Sequence, residues 1–411
     1  MSVDDQRLPH PPQLSGFPIG AGLRLLAPGD APATQQQLDQ FRQFATQGDP
    51  LTDALVAWMR QTEDGRELFE HAIQHGVSAT TPEPLRAFFA SVEEVPYWLD
   101  RDLLTLGSKV VRRTGLWGML LVLPFLSLAG GYLASRADKT LVGTGNLDQM
   151  APRRLAETAK WWVDVTDEGG LARSATGFHN TLRVRVMHAH VRAAMNRRRD
   201  WDYSTWDHPV NQVQTVGTLM LFSLGLLVGS QAIGLRFTKR ERHSVYHLWR
   251  YVGWLLGVDP RLLPSDEVDN WRLFWLEAAT EFFPDNDSRR LAQALFNGSA
   301  ETILGPWMRR DGLVFRVSSH ALVRFQTSYT RLVLGGHNGD QLGAPRSKPF
   351  QAAVIAAAAV NSVGETLRRV IPGANGLAVR IGTRSRRVMI DRIVAAHLAD
   401  RTYTHHSIAA A

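Results

Sequence analysis

The chain has 411 residues, 44% hydrophobic and 21% charged, with a formal net charge of +7, which is ordinary for a globular protein able to bury a large core. It has no cysteine, so disulfides, thiolate nucleophiles, cysteine-held zinc, iron–sulfur clusters and thiolate-ligated haem are excluded. Basic residues are scattered, without a stripe interleaved with aromatics, so the positive balance favours anionic partners in general but nucleic acid is not among those expected.

In chain order, residues 1–34 are Pro/Gly-rich and aperiodic and read as an extended arm. They hold neither an apolar signal segment nor a twin-Arg pair, so the expected location is the cytoplasm. Helical periodicity begins at Gln35–Thr46 and resumes at Leu51–Arg60, where Asp49-Pro50 is a start signal. Amphipathic helices follow at Glu63–His75, Pro82–Val92 and Arg101–Arg113. Leu116–Leu133 is an uncharged apolar run, and Val216–Leu235 is a second. Each is long enough to span a bilayer, but Pro124, Gly130, Gly131, Ser223, Gly225 and Ser230 dilute them. Both are expected to be central buried helices, with membrane spans as the alternative. Between them lie two helical patterns, one opening near Arg154 and one running through His188, with a Gly-rich break between. Arg240–Leu256, Asp266–Phe283, Ser288–Leu295, Ser319–Val333, Phe350–Val370 and Arg380–Asp400 complete the helical patterns, with a Gly-rich loop at Gly335–Gly343. No alternating strand pattern and no repeat occurs. The expectation is an all-α protein: one large helical domain over 35–400 and a flexible tail over 401–411.

Polar residues recur on apolar helical faces. His188 sits among Val184, Val186, Met187, Ala189 and Val191, with Arg185 three residues before and Arg192 four after. Such a His fits haem iron ligation, with its Nδ1–H held by a carbonyl or carboxylate and the two arginines on the propionates. It also fits a core histidine flanked by surface arginines. Arg154, Glu157 and Thr158 have the spacing to share one face of the preceding helix, or to form a surface ion pair. A carboxylate there, if buried, suits proton transfer. Thr218, inside the second apolar run, either donates to a ligand or bonds back to the carbonyl four residues earlier. His243 and His247 have metal-chelating spacing but lack the Glu of the HExxH arrangement. No phosphate-binding Gly loop, nucleophile elbow or acidic metal triplet is present.

Taken together, Arg154-Leu-Ala-Glu157-Thr158, then Arg185-Val-Met-His188-Ala-His-Val-Arg192, then Pro209-Val-Asn211-Gln212 before an apolar helix resemble the latex clearing protein (rubber oxygenase) and MpaB-type haem-dependent oxygenases. The resemblance covers about residues 95 to 330, with its motif core at 150–235. It implies a globin-like helical core around haem b, with His188 as the iron ligand. Arg154 and Thr158 are implied as distal-pocket residues and Thr218 as a further pocket residue. O2 is the implied co-substrate, in oxidation or cleavage of a C=C bond. Rubber-cleaving members carry a Lys just before the pocket Thr, where this chain has Glu157. A hydrophobic, isoprenoid-type small molecule is therefore expected as substrate in place of polyisoprene, with peripheral membrane contact as a further expectation. The competing readings are a non-enzymatic helical membrane-associated protein and a haem-binding sensor or carrier.

Overall fold

The computed structural model describes residues 34–143, 147–309 and 311–398, with only the helical backbone of 147–152. The expected tail at 401–411 and, Thr34 apart, the expected arm at 1–34 lie outside these residues. Among the described residues there is no strand, only an isolated antiparallel bridge between Ala134 and Phe282. The all-α class read from the sequence is the one observed.

The main helices are α1 Gln35–Arg42, α2 Pro50–Gln61, α3 Gly65–His75, α4 Glu83–Glu93, α5 Arg101–Arg113 and α6 Gly115–Gly131. They continue as α7 Ser135–Gly143, α8 Leu147–Thr166, α9 Thr176–Met195, α10 Gln212–Ala232 and α11 Lys239–Leu255. The last are α12 Glu267–Thr280, α13 Asn286–Leu304, α14 Leu313–Leu334, α15 Lys348–Val370 and α16 Ala374–His397. Start signals work as read: Asp49 caps α2 by accepting from Thr52 N, and Pro50 occupies its first turn. The stretch read as a loop at Gly335–Gly343 instead contains a short helix, Gly336–Gln341.

The two apolar runs become α6 and α10, and both are largely buried in one hydrophobic core extending from Phe41 to Leu398. Each departs from regular α geometry. Gly118–Leu128 of α6, which contains Pro124, and Leu221–Gly225 of α10 are wound as π-helix. Proline removes an i→i−4 bond and crowds the preceding turn, and the wider π register accommodates that. Ser127 Oγ donates to the Leu221 carbonyl at 2.6 Å, tying one π segment to the other.

By length and composition α10 and α15 could each cross a membrane, as could α5 and α6 together, which are bent by 87° at their junction. Burial separates the two single helices. The apolar window of α10 is 61% buried, that of α15 only 11%. The Ala-rich α15 lies on the surface with Ile355, Val360, Val363 and Leu367 exposed.

Helices α8 and α9 pack side by side after a short turn. At the start of α9, a Cβ on Gly177 would fall 2.5 Å from the Asp164 carbonyl oxygen, so only glycine permits this approach. Asn180 Nδ2 donates to Asp164 Oδ2 at 2.8 Å, and Trp161 Nε1 to Thr181 Oγ1 at 3.1 Å, fixing the register between the helices.

Candidate active site

Helices α6, α7, α8, α9 and α10 surround a cavity of about 480 Å³, walled mainly by apolar side chains. That size lies within the usual range for small-molecule and cofactor sites. His188, Arg154, Glu157, Thr158 and Thr218 all line it. These are five of the seven residues singled out from the sequence.

His188 lies deep in the protein with its open surface on the cavity. Burial, helped by the charge of Arg192 and opposed by Asp49, pushes its imidazole down to about 4. It is therefore neutral at pH 7, the form that binds metals. Among the described residues none hydrogen-bonds its ring, so the carbonyl or carboxylate expected at Nδ1 is not found.

The two flanking arginines are a correction to the sequence reading. Neither lines the cavity. Arg185 is buried and grips Asp49 with two bonds, Nε to Oδ2 at 2.7 Å and Nη2 to Oδ1 at 3.1 Å, while its guanidinium lies over the Phe88 ring. Burial would raise the Asp49 carboxyl, but Arg185 and Thr52 outweigh it and hold it below its ordinary value. Arg192 pairs with Asp53 and donates from Nη1 to the Val210 carbonyl at 2.9 Å. Val210 lines the cavity at φ 50, a strained backbone for a β-branched residue. Arg192 thus holds a cavity-wall loop. Both long side chains are committed to carboxylates at the start of α2, and propionates would have to find other cations. Among the described residues the arginines on the cavity wall are Arg66, Arg154 and Arg183, the last already bound to Glu70.

On α8, Arg154 is half-buried and donates to the Leu141 carbonyl at 3.4 Å. Burial lowers its guanidinium, against the raising fields of Tyr132 and Glu157. Glu157 is buried and ion-paired to Arg153 at 3.1 Å, so one oxygen already has a cationic partner. Thr158 presents its side chain to the cavity. On α10, Thr218 lines the cavity while Oγ1 donates back to the Gln214 carbonyl at 2.8 Å. That leaves its oxygen as an acceptor toward a ligand.

Two cavity residues were not found from sequence. Asp138 on α7 is 1% exposed and accepts from Ser288 Oγ at 2.9 Å. Burial, with the negative charge of Asp285 and Asp287 and against Ser288 and Lys139, pushes its carboxyl well above the ordinary range. Tyr132 stands beside it, and burial and Asp138 raise its hydroxyl as well. Asp138 is thus a second buried carboxyl on the cavity wall besides Glu157.

The His243/His247 pair does not form a chelate. His247 Nε2 accepts from Asp100 N at 2.9 Å. Among the described residues no group of three or more His, Asp or Glu side chains could hold a metal ion.

A profile for the family described as ER-bound oxygenase mpaB/B'/Rubber oxygenase, catalytic domain, matches residues 111–363. The chain belongs to this oxygenase family. The matched segment carries all seven candidate residues, together with Tyr132 and Asp138. The solved structure entitled "Structure of Latex Clearing Protein LCP in the closed state" is similar to this oxygenase with a TM-score of 0.61 and 16% identity, over 84% of this chain and 90% of that one. At that identity the likeness speaks for the fold. No curated protein sequence matches the chain.

Proposed function

We propose that this family member is a b-type haem oxygenase that uses O2 to oxidise or cleave a C=C bond in a hydrophobic substrate of isoprenoid type. The observation that carries the proposal is His188: a neutral imidazole, without a protein hydrogen bond among the described residues, opening on a large apolar cavity. A lone His would be a sufficient protein ligand for an iron whose other donors come from the macrocycle. The residues therefore fit haem: His188 would hold the iron, and the guanidinium groups of Arg66 and Arg154 on the cavity wall would suit its carboxylates, whereas Arg183 is already engaged by Glu70 and Asn180.

When bound, the haem supplies the iron for O2 chemistry. The chain's own contributions are positional. Arg154 and Thr158 orient polar atoms in a mainly apolar chamber, where hydrogen bonds are stronger than in water. Burial holds the Asp138 carboxyl well above its ordinary range, which favours a proton on it that it can give or recover at the cavity wall. The apolar walls of α6 and α10 exclude water and accept a hydrocarbon chain. Glu157, buried beside Arg153, places a carboxylate where rubber-cleaving members carry a Lys, which supports a substrate other than polyisoprene.

The reading is tested by exposing the haem-loaded protein to 18O2 with a panel of hydrophobic alkenes. Incorporation of label into carbonyl or hydroxylated products supports it. Stable haem binding without label in any product favours the sensor or carrier alternative. Peripheral membrane contact is proposed through α15, on the strength of its exposed apolar residues and of Arg369, Arg380 and Arg384 at and beyond its C-terminal end.

A further inference from the structure

A smaller pocket of about 110 Å³ adjoins the main cavity on the far side of Thr218. Ser127, Gly131, Ala137, Gln214, Thr218 and Leu221 line both spaces, so the two are neighbours through shared walls. The small pocket is almost wholly apolar, yet two polar groups line it with unmet hydrogen-bonding capacity. Glu277 on α12 is 4% exposed, and its Oε1 has no partner. Gln214 Nε2 on α10 has none either. Space for the Glu277 carboxyl comes from Gly217, where a Cβ would lie 2.7 Å from Oε1.

Burial, reinforced by the charge of Glu281, pushes Glu277 well above the ordinary carboxylate range. Glu281 is itself neutralised by Arg136 at 3.3 Å, so no cation faces Glu277 from that ion pair. A protonated Glu277 is a neutral hydrogen-bond donor, and the Gln214 amide is another. With its proton on, Glu277 joins the Gln214 amide in offering hydrogen bonds without protein partners in a small, almost wholly apolar recess, a setting that matches an uncharged oxygen acceptor and disfavours a carboxylate, which would also face Glu281.

We propose that this recess is a subsite for the oxygen-bearing end of an otherwise apolar substrate, a ketone, ether or alcohol, with Glu277 and Gln214 as its hydrogen-bonding groups. The proposal rests on the oxygenase reading for what the rest of the substrate does: the hydrocarbon part lies in the main cavity while the oxygen anchors its register. The subsite sets which double bond is presented, because it fixes one end of the chain. Glu277 and Gln214 are specificity residues and take no part in bond making.

The test is equilibrium dialysis of the full chain, with and without haem, against 2-decanone, 1-decanol and decane as probes. The wild type binds the ketone and the alcohol about tenfold more tightly than decane, beyond their difference in partition from water into an inert oil. Glu277→Leu loses most of that preference and keeps its affinity for decane, whereas Glu277→Gln, which retains a donor, keeps the preference. Equal corrected binding of ketone and alkane by the wild type, as a recess that holds only water would give, overturns the proposal without recourse to any variant. A preference undiminished in Glu277→Leu overturns it as well. Oxygen preference without 18O incorporation into any alkene leaves the subsite standing and removes the oxygenase reading. Incorporation without oxygen preference does the reverse.

Discussion

The Arg185–Asp49 pair gives a prediction that separates scaffold from site. Both partners are buried, Arg185 at 5% and Asp49 at 8% exposure, and two bonds join them. Asp49→Asn removes the charge but keeps a side-chain oxygen to cap α2, so the cap, worth about 1 kcal/mol, is retained. What remains is a buried guanidinium without a counter-charge, a loss of about 3–5 kcal/mol. That is a large fraction of the roughly 5–15 kcal/mol by which a folded protein is stable. Adding Arg185→Met removes the stranded charge, and the double variant recovers most of the loss. The assay is urea unfolding followed by circular dichroism, with haem loading measured on each folded variant. A loss below about 1 kcal/mol for Asp49→Asn would refute the reasoning on stability. Loss of haem by a folded Asp49→Asn/Arg185→Met protein would restore the discarded reading, in which Arg185 grips a propionate.

Three further outcomes follow from the same geometry. In the haem-free protein, His188 is neutral when folded down to about pH 4 but takes up a proton near pH 6.5 when unfolded. The unfolded state therefore binds more protons between those values, and stability falls as pH drops from 6.5 to 4, by up to about 3 kcal/mol. His188→Ala should flatten that segment of the pH–stability curve, and an unchanged slope would count against the buried neutral ring. Asp138→Asn should keep haem loading but lower the turnover of any alkene that the wild type oxidises, by roughly 10²- to 10⁴-fold if its proton is used; a change under twofold assigns Asp138 to the scaffold. Flotation with vesicles containing anionic lipid should carry the wild type upward, and Val360→Glu with Val363→Glu on α15 should leave it at the bottom. Flotation unaffected by those changes would place the contact elsewhere.

The sequence showed most clearly what depends on neighbours along the chain. Periodicity and caps located α1 to α5 within a few residues, because Asp49, Pro50 and the apolar spacing act over one or two turns. Thr218 back-bonds to Gln214, one of the two options its setting allowed. His188, Arg154 and Thr158 meet in one cavity because α8 and α9 are adjacent in sequence as well as in space. Long-range partners were not legible. Asp49 lies 136 residues from Arg185, and nothing local distinguishes an arginine bound for a propionate from one bound for a distant carboxylate. Asp138 looks like any helical acid until α13 brings Ser288 to it and the core closes around it. Glu277 is similarly anonymous until Gly217 opposes it. The apolar run that stays exposed, α15, was the least conspicuous in sequence because alanine makes it apolar without making it bulky.

The central claim is that His188 holds haem iron, and the absorption spectrum of the chain titrated with haem tests it most directly. Saturable one-to-one binding with a sharp Soret band is expected for the wild type. His188→Ala, still folded by circular dichroism, should lose that band or show weak non-saturating binding, and added imidazole should partly restore it. A wild-type chain that binds no haem, or a folded His188→Ala protein whose spectrum and affinity match the wild type, would contradict the claim.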